Sequence, residues 1–177
     1  MTKPQLTLIL GGAASGKSTF AENICFQQGK PKVYIATAQA FDDEMREKIS
    51  NHRSQRGPDW LTIEAPLDVV SALSNCTSGQ IVLLDCATLW LSNLLLADQD
   101  IATASDAFLA ALVTCPAIVI VVSNEVGNGI VPDNKLARQF RNAQGQLNQL
   151  LAAQANLVIQ VTAGLPQTLK NEAIILK

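Results

Sequence analysis

An α/β fold, with a mostly parallel sheet and helices on both faces, is what this sequence predicts from three observations. Short, continuously apolar runs rich in Val, Ile and Leu recur along the chain, as strands covered on both sides require. Between them lie segments whose apolar residues repeat at the helical period. The first apolar run also leads directly into Gly11-Gly12-Ala13-Ala14-Ser15-Gly16-Lys17-Ser18, which fills the pattern Gly, four residues, Gly-Lys-Ser ahead of a helix-compatible segment.

That third observation fixes the start of the chain as a phosphate-binding loop in its required context. Glycine permits positive φ and close backbone approach, so successive N–H groups can converge on phosphate oxygens at a helix N-terminus. Lys17 supplies a point charge to the β- and γ-phosphates, and the Ser18 hydroxyl supplies a ligand for Mg²⁺. A plain glycine-rich turn needs neither the preceding strand nor the following helix.

The remaining elements follow in order. Lys17 to Gln28 reads as a helix closed by Gly29 and Pro31, and Val33 to Thr37 as a second strand. Phe41, Met45 and Ile49 mark a helical face with Asp42, Asp43 and Glu44 in its first turn, and continuing that face reaches His52 and Arg56. The single histidine therefore points the same way as the apolar stripe, among Arg46, Lys48, Arg53 and Arg56. This setting suits either a phosphate-bearing ligand or a charged helix with no ligand at all.

Gly57-Pro58 ends this element, Trp60 to Glu64 forms a strand or edge, and Asp68 to Leu73 forms a helix. Ile81 to Leu84 with Asp85 is an apolar strand closed by an acid, the form of a Walker B element whose carboxylate reaches the Mg²⁺ shell. Helical patterns follow over Thr88 to Leu96 and over Ser105 to Val113, the second with Ser105 as its N-cap. Ala117 to Val122 is a buried strand running into Ser123-Asn124-Glu125 and a glycine-containing loop. Asn124 and Glu125 there either face a ligand or cap a turn. Pro132 starts a long helix with Leu136, Phe140, Leu147 and Leu151 along one side and solvated Arg138 and Arg141 elsewhere, and Leu157 to Val161 is the final strand. With no repeat or linker, 1–177 is expected to be one domain of the P-loop nucleotide-binding type.

Composition removes several functions. The net charge is −2, and five Phe, two Trp and one Tyr offer neither a basic groove nor a stacking platform, so nucleic-acid binding is not expected. Ser123-Asn124-Glu125-Val126 is not the Asn-Lys-x-Asp motif of a guanine-nucleotide switch. The Ile81 to Ala97 stretch is interrupted by Asp85, Thr88, Ser92 and Asn93, so no membrane span is expected. No signal-peptide pattern precedes the loop, and Cys25, Cys76, Cys86 and Cys115 lie far apart, so reduced, buried thiols in a cytoplasmic protein are expected.

Longer blocks narrow the function further. GGAASGKSTFAE at 11–22, YIATAQAFDDEMREKISNHRSQRGPDW at 34–60, LLDCATLWLSNLL at 83–95, VVSNEVGNGIVPDNKLARQFRNAQGQLNQLLA at 121–152 and VTAGLP at 161–166 resemble the bifunctional adenosylcobinamide kinase and adenosylcobinamide-phosphate guanylyltransferase family of bacterial cobalamin biosynthesis. The resemblance implies two reactions. The aminopropanol hydroxyl of adenosylcobinamide is phosphorylated by ATP or GTP, and GMP from GTP then passes through a guanylylated histidine to the adenosylcobinamide phosphate.

The family's nucleophilic histidine matches His52. Gly11, Gly12, Ala13, Ala14, Ser15, Gly16, Lys17 and Ser18 match the phosphate-holding residues, and Ala36, Thr37, Ala38, Arg53, Ser54, Gln55, Arg56, Glu64 and Asp85 those lining the GTP site. Ala14 stands where the family often has arginine, which removes no expected catalytic atom. The resemblance also implies a homotrimer. The rival readings are a small-molecule P-loop kinase without nucleotidyl transfer and a non-enzymatic nucleotide-dependent interaction protein.

Overall fold

The computed structural model describes residues 6–39 and 57–172. The strands are β1 (Leu6–Gly11), β2 (Lys32–Ala36), β3 (Trp60–Glu64), β4 (Ile81–Asp85), β5 (Ile118–Asn124), β6 (Leu157–Thr162) and β7 (Leu165–Asn171). The helices are α1 (Lys17–Gln27), α2 (Val69–Ser74), α3 (Ala87–Leu96), α4 (Ile101–Thr114) and α5 (Lys135–Gln154). The seven strands form one sheet in the order β3-β2-β4-β5-β1-β6-β7, parallel throughout except for the β6–β7 pair.

The apolar runs form strands because both their faces are covered. Ile9, Leu83, Ile120, Val122, Ile159 and Val161 pack with Ala21 and Cys25 of α1. The alternate residues, Leu8, Leu10, Leu84, Val119 and Val121, pack on the other side with Trp90 of α3, Phe108 of α4 and Leu147 and Leu151 of α5. Each fully buried Leu, Ile or Phe contributes about 1.5–3 kcal/mol relative to exposure, and this two-sided burial holds the flat array of parallel strands together.

Three sequence expectations are corrected. The helix expected from Ser105 begins four residues earlier at Ile101, because Asp100 is the N-cap and accepts from the amides of Ala102 (3.0 Å) and Thr103 (3.4 Å). Ser105 lies inside that helix and is buried. The helix expected from Pro132 starts at Lys135, where Asn134 accepts from the Ala137 amide at 2.7 Å, and Leu136 on its first turn is exposed. Finally, β6 is not the last strand, because β7 pairs antiparallel with it, Thr162 opposite Leu165. As an exposed edge strand, LPQTLKN needs no apolar run and tolerates proline, so its sequence carries little strand signal.

Candidate functional site

The carboxyl ends of the parallel strands gather the chemistry. Parallel pairing places Ala36 beside both Glu64 and Asp85, and Gly11 beside Asn124. Side chains alternate between faces along a strand, so the α1 face that carries Ile9, Tyr34, Leu83 and Val122 also carries Gly11, Ala36, Asp85 and Asn124 two residues further on. These residues thus line one edge of the sheet, on the side from which the glycine loop enters α1.

The loop is shaped by contacts that only small residues allow. A Cβ on Gly11 would collide with Ser15 Oγ and lie 2.7 Å from the Val161 carbonyl oxygen, and a Cβ on Gly16 would lie 3.2 Å from Gly164 Cα at a φ of +90°. Ala14 also takes a positive φ, 54°. The Gly164 amide donates to the Ser15 carbonyl at 2.8 Å, so the β6–β7 turn clasps the loop from outside. Lys17 Nζ donates to the Gly12 carbonyl at 3.2 Å.

The N-terminus of α1 stands apart. Asp68, Cys86, Asp100 and Asn134 cap α2 to α5 with side-chain acceptors, whereas Gly16 at the head of α1 provides none. The first amides of α1 are thus left for an acceptor from elsewhere, at the positive end of the helix dipole. They border a hollow of about 350 Å³ lined by Ala14, Ser15, Gly16, Lys17, Ser18 and Thr19. At roughly 30 Å³ per water molecule this holds about ten waters, or a run of phosphate groups.

Asp85 is half-buried at the end of β4, where the Tyr34 hydroxyl donates to its Oδ2 at 3.2 Å. Thr37 is fully buried, and its hydroxyl accepts from the Cys86 amide and donates to the Cys86 carbonyl, both at 2.8 Å. What Thr37 does with its side chain is to brace the residue that follows Asp85. Glu64 is exposed at the end of β3 and borders a second hollow of about 390 Å³, floored by Ile63, Ala65, Pro66 and Leu67. From β1 to β3 the sheet spans four strand spacings, about 19 Å at ~4.8 Å each, comparable to an extended nucleoside triphosphate.

The structure thus brings Gly11 to Ser18, Ala36, Thr37, Ala38, Glu64 and Asp85 to one edge of the sheet. His52, Arg53, Ser54, Gln55 and Arg56 lie outside the described residues.

Sequence reasoning missed the supporting residues. Asn93 Nδ2 donates to the Thr37 carbonyl at 2.8 Å and to the Pro66 carbonyl at 2.9 Å, tying the segments after β2 and β3 together. Thr88, Ser123, Gln144 and Asn148 form a buried polar cluster beneath the end of β5. The available signal was the placement of Thr88 and Asn93 within a mostly apolar helix, where a buried polar side chain must have a partner to repay its desolvation.

Residues 7–169 match the family described as cobinamide kinase / cobinamide phosphate guanyltransferase. Over 170 residues the chain is 44% identical to the bifunctional adenosylcobalamin biosynthesis protein CobP of Pseudomonas aeruginosa, covering 94% of this chain and 98% of that one. With the bifunctional adenosylcobalamin biosynthesis protein CobU of Escherichia coli it shares 38% identity over 181 residues, covering 93% and 99% of the two chains. Among solved structures it is similar in fold to the flagellar accessory protein FlaH of Methanocaldococcus jannaschii, with TM-score 0.53, 13% identity, and 97% and 80% of the two chains covered. An ATPase of the type III secretion system of pathogenic bacteria is likewise similar in fold, with TM-score 0.58, 11% identity, and 97% and 58% covered. On the length and identity of the sequence matches, the chain belongs to the cobinamide kinase / cobinamide phosphate guanyltransferase family.

Proposed function

We propose that this protein is a bifunctional enzyme that phosphorylates the aminopropanol hydroxyl of adenosylcobinamide with ATP or GTP, then transfers GMP from GTP to the resulting phosphate by way of His52. The observation that carries the reading is the uncapped N-terminus of α1 opening on the Gly11 to Ser18 hollow, within a chain that matches the family from residue 7 to residue 169.

The chemistry divides between two phosphorus atoms of one bound nucleotide. In the kinase step the substrate hydroxyl oxygen attacks the γ-phosphorus, its bond to the β-phosphate oxygen breaks, and a nucleoside diphosphate leaves. In the guanylyl step a neutral imidazole nitrogen of His52 attacks the α-phosphorus of GTP, a P–N bond forms, and pyrophosphate leaves. The phosphate of the modified corrinoid then attacks the same phosphorus and frees the histidine, giving adenosylcobinamide-GDP. Lys17 and the loop amides hold the β- and γ-phosphates in both steps, as the leaving group of one and the reacting end of the other.

Mg²⁺ fits the residues present. The Ser18 hydroxyl borders the loop hollow and the half-buried Asp85 carboxylate ends β4, two hard oxygen donors of the kind that hold an ion which keeps several waters and also binds substrate phosphates. Ser18 and Asp85 are the groups that would hold it, and bound there it would neutralise charge on the β- and γ-phosphates. Arg53, Ser54, Gln55 and Arg56 complete the GTP site in this reading. The Glu64 carboxylate offers acceptors for the N1–H and exocyclic amine of guanine, with Ala36, Thr37 and Ala38 between the base and the phosphates. We also propose a homotrimer, one domain per chain and a cytoplasmic location, and expect neither nucleic-acid binding nor membrane insertion.

The test is incubation with GTP labelled at the α-phosphate, without corrinoid. The label is expected to remain on the denatured protein, to be lost in mild acid, to survive brief alkali as a phosphoramidate does, and to be absent from His52→Asn. That variant is expected to keep γ-phosphoryl transfer to the corrinoid. Adduct persisting in His52→Asn would remove the nucleophile assignment. Absence of any adduct alongside intact kinase activity would leave a kinase only.

A further inference from the structure

We infer that Asn124 is a catalytic residue of the kinase step, its side-chain amide donating to the γ-phosphate of the bound nucleotide. The inference rests on the nucleotide reading above and adds to it a residue outside the phosphate loop and the Asp85 strand end.

The placement comes from sheet order and register. Strand β5 lies between β4, which ends in the Asp85 carboxylate, and β1, which ends in the glycine loop. Asn124 is the last residue of β5 and pairs with Gly11, while the Glu125 amide donates to the Gly11 carbonyl at 3.0 Å. Asp85 pairs with Val122, so Asn124 stands two residues further along the strand direction, about 6.6 Å at ~3.3 Å per residue. By alternation its side chain leaves the sheet on the same face as Asp85 and α1. It is thus beside the loop, level with its first glycine and beyond the metal-side carboxylate. There the outermost phosphate of a triphosphate held by Lys17 and Ser18 would lie.

The side chain is prepared for a ligand in a way no packing role explains. Asn124 Oδ1 is buried and has no hydrogen-bond partner. Leaving such a group unmet typically costs about 1–3 kcal/mol. With no bond fixing it, a half-turn of the amide exchanges Oδ1 and Nδ2, and the position unmet as an acceptor then presents N–H groups to phosphate oxygens, which are acceptors only.

The main chain of Asn124, in contrast, is held on both sides. Its amide donates to Thr88 Oγ1 at 2.7 Å, and its carbonyl accepts from Asn148 Nδ2 at 3.0 Å. Asn148 Oδ1 in turn accepts from Ser123 Oγ at 2.6 Å and from Gln144 Nε2 at 2.9 Å, and Ser123 and Gln144 are fully buried. A polar cluster drawn from α3, β5 and α5 thus fixes the backbone of a residue whose side chain is left without a partner. Such an arrangement positions a functional group more than it fills a core.

The experiment is calorimetric titration of the full chain, in magnesium, with β,γ-imido-ATP and with ADP, for wild type, Asn124→Ala and Asn124→Asp. Losing a hydrogen bond to a charged group is expected to weaken binding of the triphosphate analogue by about ten- to a hundredfold in Asn124→Ala, while ADP affinity changes by less than about twofold. Asn124→Asp, of the same shape but negative, is expected to lose more, again only for the triphosphate. Kinase kcat is expected to fall in both variants, while the thermal midpoint of Asn124→Ala does not fall below the wild-type value. Parallel loss of both nucleotides with a lowered midpoint, or unchanged affinity for both, would overturn the assignment. Failure of wild type to bind either nucleotide would overturn the nucleotide reading itself, and this proposal with it.

Discussion

In the proposed reactions much rests on one side chain, Lys17. Its ammonium folds back along its own loop to the Gly12 carbonyl at 3.2 Å, and this is its one described hydrogen bond. The side chain is half-exposed, so removing it leaves the core untouched. Lys17→Ala is therefore expected to reduce both γ-phosphoryl transfer and histidine guanylylation by about a hundredfold, the effect of a lost charge contact worth about 3 kcal/mol in the transition state. Measuring the two rates separately is the check, since loss of only one would count against a shared cradle. At this scale the sequence is most readable where chemistry dictates residue type and spacing together, as in Gly11 to Ser18. It is least readable at Ser123, Gln144 and Asn148, whose polar side chains become meaningful only when β5 and α5 meet.

Elements with a dense apolar signal, β1, β4 and β5, were legible because burial on both faces writes Val, Ile and Leu into consecutive positions. Strand β7 was not, since an edge strand needs only a turn and main-chain bonds. That turn has residues of positive φ at both centres, Ala163 at 52° and Gly164 at 77°, the requirement of a tight hairpin turn that favours Asn-Gly. Alanine is a poor occupant of that region and asparagine a tolerated one. Ala163→Asn is expected to stabilise the protein by about 0.5–1 kcal/mol, read as a rise of on the order of 2 °C in the unfolding midpoint. A fall would show that a longer side chain there crowds the phosphate loop.

Across the whole molecule, the expectation of reduced, buried thiols holds, for all four cysteines are free and buried. Burial pushes the Cys25 thiol up to about 12 and the Cys86 thiol up to about 11. Cys76 and Cys115 face each other as a pair, and their contact raises the Cys76 thiol and lowers the Cys115 thiol. Because the thiolate is the reactive form, labelling of native protein with iodoacetamide is expected to be slow at all four sites. Cys115, the thiol shifted down, should lead and reach its full rate at lower pH than Cys25 and Cys86, which are shifted up and continue to climb. Peptide mass spectrometry across a pH series reads this directly, and fast labelling of Cys25 at neutral pH would contradict it. The clasp between the Gly164 amide and the Ser15 carbonyl has a consequence at the same scale. It ties the β6–β7 hairpin, at one edge of the sheet, to the glycine loop. Any ligand that prefers the clasped shape of the loop must, by thermodynamic reciprocity, make the hairpin dock more tightly by the same factor. The far edge of the sheet thereby acts as a reporter of occupancy, its amides exchanging with solvent more slowly when the loop is filled.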